Sequence, residues 1–141
     1  MSLWDLFEED MDPMEKLTLL MECGKSMDAL PVTQWNKQNE IFGCQSKAHV
    51  EIDFDQGFVI LQGASNSMMV QGLLALMIDY IQGMTAEEVV DLELDFLKNV
   101  GPSGLLTPSR SNGFRNMFVR VKEACHQQLA GEIVGYTNRK V

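Results

Sequence analysis

Ala48-His49-Val50-Glu51-Ile52-Asp53-Phe54-Asp55-Gln56-Gly57-Phe58-Val59-Ile60-Leu61-Gln62 is the stretch that decides the fold. From 48 to 54 apolar and polar residues alternate strictly, with Ala48, Val50, Ile52 and Phe54 on one side and His49, Glu51 and Asp53 on the other. A period of two sends successive side chains to opposite faces, so this is a half-buried strand. Asp55-Gln56-Gly57 reads as a turn, after which the apolar run 58–62 pairs back as a hairpin. Glu40-Ile41-Phe42 supplies a third strand, and the expected sheet is small, antiparallel and three-stranded.

The flanking periodicities are helical. Met14, Leu17, Leu20, Met21, Gly24 and Met27 recur at helical spacing after Pro13, which predicts an amphipathic helix over 13–27 that Pro31 closes off. Ser65 or Ser67 can cap a helix reaching about Gln82; it is apolar nearly all round, so it should lie against the buried face of the sheet and stop at Gly83. Thr85-Ala86-Glu87-Glu88 has the spacing of a capping box and starts a short helix. Phe114, Met117, Phe118, Val121 and Cys125 trace one face of a final helix from about 109 to 128, and the tail after Ala130 reads as weakly structured. The fold class is α+β, a small sheet packed with helices.

Size and charge narrow the function. A chain of 141 residues fits one domain that buries roughly 70% of its unfolded surface. Twenty acidic against eleven basic residues give a formal charge of −9, which argues against a nucleic-acid partner and suits a protein partner with a basic patch. Three cysteines with no close pairing make no disulfide framework and fit a reducing compartment. The start, Met1-Ser2-Leu3-Trp4-Asp5, lacks the basic and apolar regions of a signal peptide, and the longest apolar stretch, 68–81, is shorter than the ~20 residues that span a bilayer. A cytoplasmic protein with no membrane partner is expected.

Of the three thiols, Cys23 and Cys125 fall inside amphipathic helical patterns, where cysteine behaves as a small buried hydrophobe. Cys44 differs. It sits in Phe42-Gly43-Cys44-Gln45-Ser46, where an apolar run breaks into a loop, and is the candidate reactive thiol. Reaction needs the thiolate, which a cation or a helix N-terminus favours. Arg110, in Thr107-Pro108-Ser109-Arg110-Ser111-Asn112-Gly113, stands where a long helix begins, although a cation there opposes the macrodipole. One reading is an anion site built from the guanidinium and the free amides of 109–112; the other is pairing with Asp91 or Asp95. His49 and His126 leave a Cys-His hydrolase open as an alternative, and the cysteines show no metal-ligand spacing.

Four separated segments resemble one family: Asn39-Glu40-Ile41-Phe42-Gly43-Cys44-Gln45-Ser46, Gly63-Ala64-Ser65-Asn66-Ser67, Val70-Gln71-Gly72-Leu73-Leu74-Ala75 and Leu106-Thr107-Pro108-Ser109-Arg110-Ser111-Asn112-Gly113. With Leu20-Met21-Glu22-Cys23-Gly24-Lys25 and Leu30-Pro31 they run, in the expected order, over about 14–128, and the chain resembles the SufE-like sulfur-acceptor family. The resemblance implies a SufE/NifU-like fold, with a single domain over 1–141 and a tail from 129. It also implies a sulfur carrier rather than an enzyme. Cys44 would take sulfane sulfur as a persulfide from a SufS-type, pyridoxal-phosphate-dependent cysteine desulfurase, activate that enzyme, and pass the sulfur to an Fe-S assembly scaffold complex. Arg110 would be a supporting anion contact, with Gly43, Gln45 and Ser46 shaping the loop. No cofactor of the chain's own is expected, the pyridoxal phosphate being the partner's, and the chain should be a monomer or weak homodimer. An Fe-S cluster scaffold of related fold is the alternative, although scaffolds gather several cysteines around one site. The chain departs from the family pattern at Ala64 and Asn66, where acids are common, at His49, near which an aromatic is usual, and at Leu105, where histidine is common.

Overall fold

A computed structural model describes residues 6, 11–41, 46–93 and 108–133, the side chains of the last span over 114–131. The first helix, α1 (Pro13–Ser26), starts at a capping box: the Glu15 amide donates to Asp12 Oδ1 at 2.8 Å and the Asp12 amide to Glu15 Oε1 at 3.3 Å. These bonds satisfy amides that a helix start leaves unpaired, and Pro13 loses nothing there because it has no amide to pair.

The hairpin forms as the alternation predicts. Strands β1 (Ala48–Asp55) and β2 (Phe58–Ser65) pair antiparallel from Ala48↔Ser65 to Asp55↔Phe58. The turn residues Gln56 and Gly57 have φ of 53° and 86°, the left-handed pair that matches the twist of a two-residue hairpin. Among the described residues the sheet has two strands, not three. The segment expected to form the third strand makes one bridge, Glu40 to His49, flanked by bonds from the Ile41 amide to the Ala48 carbonyl and from the Val50 amide to the Asn39 carbonyl, both 2.8 Å. Pairing stops upstream because Asn36 and Asn39 accept one another's backbone amides at 2.9 and 3.0 Å, which turns the chain away from β1. Arg120 also donates to the Gln38 and Glu40 carbonyls. Phe42, the end of the expected strand, lies outside the described residues.

Helix α2 (Met68–Ile81) is capped by Ser67 and stops where Gly83 takes a φ of 86°. It is the centre of the core: Leu73, Leu74, Leu76, Met77 and Ile81 are buried with Val50, Val59 and Leu61 of the sheet. Its crossing with α1 is so tight that a Cβ on Gly24 would lie 2.8 Å from the Gly72 amide nitrogen. A short helix, α3 (Ala86–Val90), opens with the expected Thr85–Glu88 capping box and packs against the last helix, α4 (Pro108–Ile133), which buries Phe114, Met117, Phe118, Val121 and Cys125. Helix α4 runs past the end expected near 128, because Leu129 still packs on the core and carries the helix through Gly131. No described helix is long and apolar enough to cross a membrane.

Candidate functional site

Cys44 lies outside the described residues, as do its loop neighbours Phe42, Gly43 and Gln45. The frame at both ends of that segment is described. On the upstream side Ile41, 3% exposed, is fixed by its amide bond to Ala48. On the downstream side Ser46 forms a half-buried bend, and the next residue, Lys47, is held three times over: its carbonyl accepts from Ser65 Oγ at 2.6 Å and from the Asn66 amide at 3.2 Å, and its amide donates to Asn66 Oδ1 at 3.1 Å. Ser65 is tied in turn to the helix crossing, since Gln71 accepts from the Ser65 amide at 3.1 Å and donates to the Gly24 carbonyl at 2.8 Å. Asn66 thus supplies a side-chain oxygen acceptor without a carboxylate's charge.

A second node, which the alternation of β1 does not reveal, stands under the upstream end. His49 is 3% exposed rather than on a solvated polar face, because Trp35 stacks over its ring with centroids 4.7 Å apart. Its Nδ1 lies 2.7 Å from Asn39 Oδ1. That oxygen also accepts from the Asn36 amide, and Asn39 Nδ2 donates to the Gln34 carbonyl and to Glu51 Oε2, so the amide is oriented and Nδ1 of the histidine is the donor. Ala64, the cross-strand partner of His49, is 1% exposed; an acid at 64 would be enclosed beside the imidazole. Tryptophan at 35 is the available signal for this node, but only the path of the 3-10 turn at Val32–Gln34 brings it over β1.

Arg110 is in the first turn of α4, as expected for its backbone; its side chain, like Leu105 and Asp95, lies outside the described residues. Among the described side chains of α4, Arg120 reaches this frame, its guanidinium donating to the Gln38 and Glu40 carbonyls far upstream in sequence. Nothing in the hydrophobic pattern singles it out.

The other two thiols are placed as the helical patterns predict. Cys23 and Cys125 are 5% and 0% exposed. Burial, reinforced by the nearby Asp79 and Glu22 carboxylates, raises the Cys23 pKa, and burial pushes the Cys125 thiol up to about 11. A thiol held protonated is a poor nucleophile. His126 is exposed on α4, and among the described residues no three His, Cys, Asp or Glu side chains gather into a metal site.

Helices against an antiparallel hairpin, with both described ends of the Cys44 segment pinned, define an α+β domain. Its fold is shared by a protein of Thermus thermophilus known from a solution structure, at a TM-score of 0.73 and 19% identity over 90% of this chain and 93% of that one. The chain belongs to the SufE family, the Fe-S metabolism associated domain, whose model matches residues 1–125. It is 36% identical over 112 residues to an uncharacterized SufE-like protein of Synechocystis, covering 79% of this chain and 70% of that one. It is 25% identical over 118 residues to the cysteine desulfuration protein SufE of Plasmodium falciparum, covering 80% of this chain and 47% of that longer protein.

Proposed function

We propose that this chain accepts sulfane sulfur as a persulfide on Cys44 from a pyridoxal-phosphate-dependent cysteine desulfurase, thereby activating that enzyme, and delivers it to an Fe-S assembly scaffold. The observation that carries the reading is the sorting of the three thiols: two are buried with raised pKa values, and the third belongs to the segment flanked by the Ile41–Ala48 and Lys47–Asn66 anchors. Transfer is thiol exchange. The Cys44 thiolate attacks the outer sulfur of the donor's persulfide, the donor's inner sulfur leaves as a thiolate, and the new persulfide on Cys44 carries the proton of the transferred sulfhydryl. Anchored ends suit this step because they let a short segment enter another protein's active site without disturbing the core. Gly43, Gln45 and Ser46 shape the segment, Arg110 is the supporting anion contact, and all of these act within a single domain.

The test is cysteine turnover by a purified desulfurase with the wild-type chain or Cys44→Ser, followed by anaerobic intact-mass analysis. The reading expects faster turnover and a reductant-sensitive gain of one sulfur, about 32 Da, on the wild type alone. Equal stimulation or equal gain with Cys44→Ser would overturn it.

A further inference from the structure

Among the described residues, one face of the sheet is left uncovered apart from the Trp35–His49 stack at its end. Across it the register sets Asp55 opposite Phe58, Asp53 opposite Ile60 and Glu51 opposite Gln62. Phe58 and Ile60 are 47% and 39% exposed, large apolar side chains in a row of carboxylates. Beside this face, along the outer edge of β2, runs a groove of about 800 Å³ floored by Met27, Ile78 and Cys23 and rimmed by Asp28 and Asp79, with Ile60 shared between groove and face. Among the described residues no lysine or arginine lines it, and Asp28, Asp53 and Asp55 form no ion pair.

Electrostatics narrows the occupant. A second copy of this chain would set carboxylates against carboxylates, and a nucleic acid or anionic lipid surface would be repelled. The backbone edge of β2 is closed to an added strand, because Val59 pairs with Gly83 and Met84, the Leu61 amide donates to Gln82 Oε1, and the Gly63 carbonyl accepts from Leu30. Recognition therefore falls to side chains: cations for the carboxylates, and apolar anchors for Ile60, Phe58 and the groove. The face is also within reach of the thiol-bearing segment. Asp53 is five residues along β1 from Ala48, about 17 Å at strand rise. A standard interface of about 800 Å² per partner is roughly 30 Å across, so it can include both.

We infer that the Asp53, Asp55, Phe58 and Ile60 face and its adjoining groove dock a basic, apolar-tipped surface of the sulfur-donating protein, placing that protein beside Ile41 and Ser46, the described residues that flank the Cys44 segment. The identity of the partner rests on the function proposed above; the basic and apolar character of its surface does not. The carboxylates speed encounter, and the apolar contacts lengthen the lifetime of the complex.

Calorimetric titration against a purified cysteine desulfurase, in a Cys44→Ser background, measures docking without sulfur transfer. Asp53→Asn with Asp55→Asn is expected to weaken binding about fivefold at low salt and to flatten its salt dependence, and Ile60→Ala to weaken it at any salt. Glu87→Gln with Glu123→Gln, which removes two charges elsewhere, is expected to leave affinity unchanged. Circular dichroism on each variant confirms the fold. Equal affinity for the wild type and the Asp53/Asp55 variant, equal losses in both charge variants, or no binding at all would overturn the proposal. Failure of Cys44 to gain sulfur while binding still depends on Asp53 and Asp55 would overturn the acceptor reading and leave the docking face standing.

Discussion

Gly72→Ala should destabilise the protein, against the usual direction for a helical glycine. In an exposed helix the change would gain about 1 kcal/mol, because alanine loses less backbone freedom on folding. At the α1–α2 crossing, an added Cβ falls on the Leu20 carbonyl oxygen and lies 2.8 Å from Leu20 Cγ and 2.9 Å from its carbonyl carbon. Carbon atoms prefer about 3.5–4.0 Å, so the helices must separate by about 1 Å, and a backbone carbonyl cannot rotate aside as a side chain can. Overpacking of this kind costs about 3 kcal/mol, which leaves a net loss of about 2 kcal/mol. With an unfolding entropy of about 0.3 kcal/mol/K for 141 residues, Tm falls by about 7 °C. The strain should travel further, since Gln71 links the Gly24 carbonyl to the Ser65 amide and Ser65 holds Lys47. Differential scanning calorimetry checks the magnitude, and an unchanged or raised Tm would refute the close crossing.

Alkylation of the native protein near pH 8 should label neither Cys23 nor Cys125 at an appreciable rate, while unfolding in guanidinium exposes both; peptide mapping reads the difference. Because the folded pKa of Cys125 lies above its ordinary value of 9.0, the stability that goes with its neutral thiol is complete below pH 9 and lost as pH rises through about 11, so Cys125→Ala should flatten the alkaline limb of a pH–Tm profile. Asn39→Ala leaves His49 Nδ1 and the Asn36 amide without their acceptor and should cost about 2 kcal/mol in urea denaturation; a loss of less than a few tenths would contradict the node. The Glu15 amide holds the Asp12 carboxyl below 3.8, so its capping contribution is present above that pH and lost as pH falls through the lowered value; the Tm gap between wild type and Asp12→Ala should close there.

The parts of the fold legible in the sequence are those with local causes. The hairpin follows from a strict period of two and a turn that glycine can make, and α3 from Thr85 and Glu88 at capping spacing. The burial of Cys23 and Cys125 follows from helical periodicity. What escapes depends on contacts distant in sequence. Glu40, Ile41 and Phe42 have strand-like composition, but the mutual Asn36–Asn39 bonds and the reach of Arg120 limit the described part, Glu40 and Ile41, to one bridge. His49 alternates onto the polar face, yet Trp35 covers it, which no periodicity within β1 can register. Helix α4 outruns its expected end because Leu129 finds the core, a tertiary contact beyond the apolar face traced from Phe114 to Cys125. For the candidate site, motif and local context make Cys44 and Arg110 expectations; the frame that pins the described ends of the Cys44 segment is tertiary, built from Ser65, Asn66 and Arg120.

The most direct test of the acceptor assignment is localisation of the transferred sulfur. After anaerobic incubation with a desulfurase and cysteine, trapping with an alkylating agent and peptide mass mapping should place one additional sulfur on the peptide containing Cys44 and none on those containing Cys23 or Cys125. Sulfur on either of the helical cysteines, with Cys44 unmodified, would contradict the account.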